Sequence, residues 1–128
     1  MKRAVLAALV SLVACGPAPL SVRTFEATSG KLSYAATATE FEGKDELTWN
    51  NSGTQALISW EGTTVTKGSV IFQLFDGAGK KVYEQTATPG AIPAKGATES
   101  LGATSNWKGA VLYRAATARV VLEAQGAR

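Results

Sequence analysis

The 128-residue chain has no histidine and a single cysteine. Without histidine, neither a Ser-His-Asp nor a Cys-His relay can be assembled, and the imidazole ligand of most zinc sites is missing. One cysteine cannot close an internal disulfide, so any folded domain has to be held by its core alone. Charge is sparse as well: 18% of residues are charged against 45% hydrophobic, too apolar a mixture for a disordered chain. The formal charge of +3 and pI near 9.2 suggest nucleic-acid binding until the cations are located. Lys2 and Arg3 at the extreme amino terminus account for part of the excess, leaving +1 for the rest, and Lys80-Lys81 is the only adjacent basic pair beyond them. No nucleic-acid partner is expected.

The longest uncharged apolar run, Ala4 to Ala14, is too short to cross a bilayer, which needs about 20 residues. It follows the positive Met1-Lys2-Arg3 and precedes Gly16-Pro17-Ala18-Pro19, which would stop a helix. That order of charged region and apolar region is the order of a secretory signal. Within it, Leu12-Val13-Ala14-Cys15 resembles the lipobox of bacterial lipoproteins, in which small or apolar residues precede an obligatory cysteine. The resemblance implies a diacylglycerol on the Cys15 sulfur, cleavage between Ala14 and Cys15, and acylation of the new amino group. It also accounts for the odd cysteine. Gly16, where an Asp commonly signals inner-membrane retention, implies by the same resemblance the outer membrane. Two or three acyl chains, at about 0.8 kcal/mol per buried CH₂, hold a protein to a membrane where one binds only marginally. The covalent lipid is the only non-protein group expected, and no cofactor is. The expected organisation is a signal peptide over 1–14, a lipidated cysteine and extended leash over 15–29 stiffened by Pro17 and Pro19, and one domain of roughly 100 residues over 30–128.

In that domain, short segments rich in Val, Ile, Thr, Tyr, Phe and Trp alternate with glycine-containing turns. Leu32, Tyr34 and Ala36 share one face of a strand; Leu47 and Trp49 do so in another, before a turn at Asn50-Asn51-Ser52-Gly53. Ala56, Ile58 and Trp60 define a third. Val70, Phe72 and Leu74 define a fourth, which turns at Asp76-Gly77-Ala78-Gly79 and pairs with a Val82-Gln85 strand. Thr88 to Thr104, with Pro89 and Pro93, reads as a long loop. Trp107, Gly109, Val111 and Tyr113 make one late strand and Ala118, Val120 and Leu122 another. No segment carries helical periodicity with start and stop signals. The expected fold is all-β: an antiparallel β-sandwich of about seven to eight strands, immunoglobulin-like or jelly-roll-like, preceded by the cleaved signal peptide. Gly68 through Trp107 also resembles the β-sandwich modules of many small bacterial lipoproteins, a likeness that supports the fold and implies no activity.

Little catalytic chemistry is open to these residues. Ser69 with Lys67, and Ser105 with Lys108, are the nearest approaches to a serine-lysine pair, of a kind any such chain contains by chance. Glu40, Glu42, Asp45 and Glu46 surround Gly43-Lys44 and could in principle supply paired carboxylates or oxygen ligands for calcium. They lack the alternating spacing of a calcium loop and read more simply as a solvated hairpin turn. No metal is expected. Asp76-Gly77-Ala78-Gly79 lacks the Gly-Lys-Ser/Thr ending of a phosphate loop and is a turn.

The aromatics remain. Trp49, Trp60 and Trp107 could stack on sugar rings if exposed, or fill the core if not. The expectation is therefore a non-enzymatic envelope lipoprotein with a structural or binding role, held to the membrane by its lipid. Its alternatives are a carbohydrate-binding module using Trp60, Trp49 or Trp107, and an adaptor subunit that binds an envelope protein.

Overall fold

The computed structural model describes residues 20–28, 30–99 and 101–127. The expected signal segment, Ala14/Cys15 cleavage point and Cys15 lipid site lie outside the described residues. Seven strands follow in order: β1 (Leu20–Thr28), β2 (Lys31–Asn51), β3 (Gln55–Ser59), β4 (Thr64–Phe75), β5 (Lys81–Ala87), β6 (Gly96–Ala97) and β7 (Ser105–Ala127). All pairings are antiparallel and belong to one continuous sheet. β7 is its centre. Along one edge it pairs with the whole of β2, from Lys31↔Gln125 to Asn51↔Ser105. Along the other it pairs with β4 over one half and β3 over the remainder. β1 flanks β2, β5 flanks β4, and β6 flanks β3.

The expected all-β antiparallel architecture is present, and its layers are made by bending long strands. The inward residues of β2 are even-numbered from Leu32 to Ala38 and odd-numbered at Leu47 and Trp49. In β7 they are odd from Trp107 to Tyr113 and even from Ala116 to Ala124. β4 switches likewise between Val65 and Val70. Each switch coincides with an irregularity in the pairing and with a left-handed backbone residue: Glu40 at φ 46°, Ala115 at φ 45° and Gly68 at φ 69°. An extra residue in a strand kinks it, and the shifted parity keeps the same face toward the core. Three adjacent strands thus bend along one line, which is the corner of the fold.

Two expectations are corrected here. The pair of strands expected around Tyr34 and Trp49 is the single β2, and the pair around Trp107 and Val120 is the single β7, because a bulge ends the alternation without ending the pairing. Residues 20–28, expected to belong to the leash, form β1, paired from Leu20↔Ala38 to Thr28↔Lys31. Of β1 residues Arg23 to Thr28, only Phe25 turns toward the core, so the strand has little hydrophobic signature.

The segment after β5 closes the open side of the fold. Thr98 N–H donates to the Ala56 carbonyl at 2.9 Å and Glu99 N–H to that of Val82 at 2.8 Å, which ties the β3 edge to the β5 edge. The β4–β5 turn docks on the same loop through Asp76. Its Oδ1 accepts from the Ala78 and Lys80 amides at 2.9 and 2.8 Å, and its Oδ2 from the Ala103 amide at 2.8 Å. These bonds to backbone N–H groups, that from Ala103 foremost, hold the Asp76 carboxyl below its ordinary pKa.

Candidate functional site

The three tryptophans are core residues. Trp49, Trp60 and Trp107 are 2%, 1% and 0% exposed. Each indole N–H has a partner: Trp49 donates to the Thr28 carbonyl at 3.2 Å, Trp60 to the Tyr83 hydroxyl at 2.9 Å, and Trp107 to the Ala103 carbonyl at 2.6 Å. Trp49 and Trp107 meet edge to face with ring centroids 5.8 Å apart, and Trp60 does the same with Phe72 at 6.2 Å. None turns a ring face to solvent. Trp60 does border a cleft of about 290 Å³ with Ile92 and Lys95 on its far wall.

The acidic cluster comes apart in three dimensions, because 40–46 is a bent strand and the expected hairpin turn is absent. Glu40 pairs with Lys67 at 3.7 Å, Glu46 with Lys44 at 3.3 Å, and Glu42 accepts from the Ala115 amide at 2.8 Å. Asp45 alone turns inward. Among the described residues no group of three or more acids or cysteines is arranged to hold a metal ion. Nor does a hydrogen bond join Ser69 to Lys67, or Ser105 to Lys108, among them; Ser69 lies in the corner of β4, and Ser105 opens β7 opposite Asn51.

A polar chain, buried at its two tyrosines and open to solvent at Arg23, connects the layers near the corner. Arg23 Nε and Nη2 donate to the two oxygens of Asp45 at 2.5 and 2.9 Å. The Tyr34 hydroxyl reaches Asp45 Oδ2 at 2.8 Å and the Tyr113 hydroxyl at 2.6 Å. A carboxylate only accepts, so the Tyr34 proton is committed to Asp45, and Tyr113 must donate to Tyr34. The proton chain runs Tyr113 to Tyr34 to Asp45, with Arg23 balancing the charge. Burial pushes both phenols up, Tyr113 to about 12. The bond to Asp45 raises the Arg23 guanidinium further. The set ties β1, β2 and β7 together through side chains alone. Sequence patterning had grouped Tyr34 with Leu32 and Tyr113 with Val111 on one strand face each, and a buried phenol requires a hydrogen-bond partner. Arg23 had no such signal, since β1 itself had none.

Two hollows border these groups, one lined in part by Arg23 and the other in part by Tyr34. One, of about 350 Å³, opens between β1 and the second half of β2, with Phe25 and Leu47 facing each other across it and Arg23 and Lys108 at its rim. The other, of about 440 Å³, is a shallow trough on the outer face of β1, β2 and β7, floored by Ser33, Ala35 and Val121 and walled by Thr24, Glu26 and Glu123.

No protein-family model matches the chain, and a search of curated proteins finds no relative.

Proposed function

We propose that this chain is a lipid-anchored, non-enzymatic lipoprotein of the bacterial envelope, serving a structural or binding role at the outer membrane. The observation that carries the reading is the sequence Leu12-Val13-Ala14-Cys15 at the end of a short charged and then apolar amino terminus. The first described strand starts at Leu20, which is compatible with it: four residues separate Cys15 from that strand, a reach of at most roughly 18 Å. Anchored there, the domain would ride close to the bilayer with the corner of the sheet nearest the lipid, since Leu20 pairs with Ala38 beside that corner. Absence of histidine, the scattering of the acids and the pairing of Asp45 support a non-enzymatic role.

Metabolic labelling with palmitate tests the reading. Wild type should take up label and partition with membranes, and Cys15→Ser should do neither. Equal labelling of both, or none in wild type, overturns it.

A further inference from the structure

The outer trough has a construction that the neighbouring surface lacks. Antiparallel register brings Thr24, Ala35 and Val121 into one row across β1, β2 and β7, and Glu26, Ser33, Glu123 and Ser59 into the next row, which extends onto β3. These rows put small side chains at the centre, Ser33 and Ala35, where a pleated face would ordinarily carry long ones. The flanking rows do carry them: Lys31, Gln125 and Leu57 on one side, Thr37 and Arg119 on the other. The result is a depression of about 440 Å³, within the range of small-molecule sites.

Its chemistry selects among ligands. The floor offers the methyls of Ala35 and Val121 and the hydroxyl of Ser33; the walls offer the Thr24 hydroxyl and two carboxylates, Glu26 and Glu123. Carboxylates are strong acceptors for ligand hydroxyls. A polycation would need a net negative field, but Lys31, 3.8 Å from Glu123, and Arg119 at the opposite end balance the two acids. A neutral ligand with one CH-rich face and many hydroxyls is what satisfies an apolar floor and acceptor walls together. We infer that the outer trough of β1, β2 and β7 is a carbohydrate-binding site for a neutral mono- or disaccharide unit, read by Glu26, Ser33 and Glu123. This site uses none of the tryptophans, and it is independent of the lipid anchor.

The test is amide chemical-shift mapping of the ¹⁵N-labelled chain in a sugar-free zwitterionic detergent. The probes are cellobiose, maltose, N,N′-diacetylchitobiose and spermine. At millimolar concentration at least one of the disaccharides should give saturable shifts centred on Ser33, Ala35, Val121 and Glu123. Ala35→Leu, which fills the floor from an outward position, should abolish them while leaving the remaining spectrum in place. Glu123→Gln, which keeps shape and loses a charged acceptor, should weaken binding about tenfold. Three results overturn the inference: no saturable shift with any disaccharide, shifts centred instead on Trp60 and Ile92, or spermine binding in the trough where the sugars do not. Anchor failure would appear as missing lipid mass on the same sample and would leave these shifts unaffected.

Discussion

Raising the pH above 10 should unfold this protein through its tyrosines. The chain has three, Tyr34, Tyr83 and Tyr113, and they are 2%, 3% and 0% exposed. Burial holds all three phenols above the ordinary value of 10, Tyr113 at about 12. The sign follows from proton counting. Between pH 10 and the folded-state values, the unfolded chain gives up phenolic protons that the folded chain keeps, so the unfolded state binds fewer and stability falls as pH rises. Below pH 10 the contribution is fully present. Each tyrosine adds a slope of at most about 1.4 kcal/mol per pH unit, or roughly 4 for the three together. Tyr113 alone should cost about 2 kcal/mol by pH 12. Against a domain stability of roughly 5–15 kcal/mol, that is enough for a cooperative alkaline transition. The assay is the urea midpoint from pH 7 upward, with the phenolate absorbance band followed in parallel. Phenolate should appear only as near-ultraviolet circular dichroism is lost. Tyrosines that titrate singly with midpoints at pH 10, with the dichroism unchanged, would refute the reasoning.

Substitutions probe the same packing. Tyr83→Phe leaves the buried Trp60 N–H without its acceptor and should cost about 1–3 kcal/mol by chemical denaturation, with the sheet otherwise unchanged. At Gly68 an added Cβ would stand 2.2 Å from the Arg114 carbonyl oxygen, so Gly68→Ala should disrupt the corner and prevent a native spectrum. Gly79 has a similar positive φ of 87° but open space around it, so Gly79→Ala should cost only about 1 kcal/mol. Arg23→Ala removes the bidentate bond that clamps β1, whose guanidinium is largely solvent-exposed; about 1 kcal/mol and faster hydrogen exchange in residues 24–28 are expected.

Much of this fold could be read from period-two alternation. Leu32, Tyr34, Leu47, Trp49, Val70, Phe72, Leu74, Val111, Tyr113, Val120 and Leu122 were each grouped by sequence with their same-face neighbours, and all are buried. The β4–β5 hairpin followed from Asp76-Gly77-Ala78-Gly79. What alternation could not show is that β2 and β7 run on through Glu40 and Ala115, because a bulge resets parity just as a loop does. β1 escaped notice because, between Arg23 and Thr28, only Phe25 turns toward the core and the stretch is held by pairing with β2. For the tryptophans, residue type left core and ligand platform both open, and the partners of their N–H groups decide for the core. The trough was illegible for a different reason: small outward residues such as Ser33 and Ala35 acquire meaning only when register sets Glu26 and Glu123 on either side of them.

The central claim is a covalent lipid at one sulfur, and intact mass with amino-terminal peptide sequencing of the chain recovered from its native membrane reads it directly. The account predicts a chain beginning at Cys15 and heavier by a diacylglycerol, with or without a further acyl group. A chain that retains residues 1–14, or that begins at Cys15 with a free thiol, would contradict it.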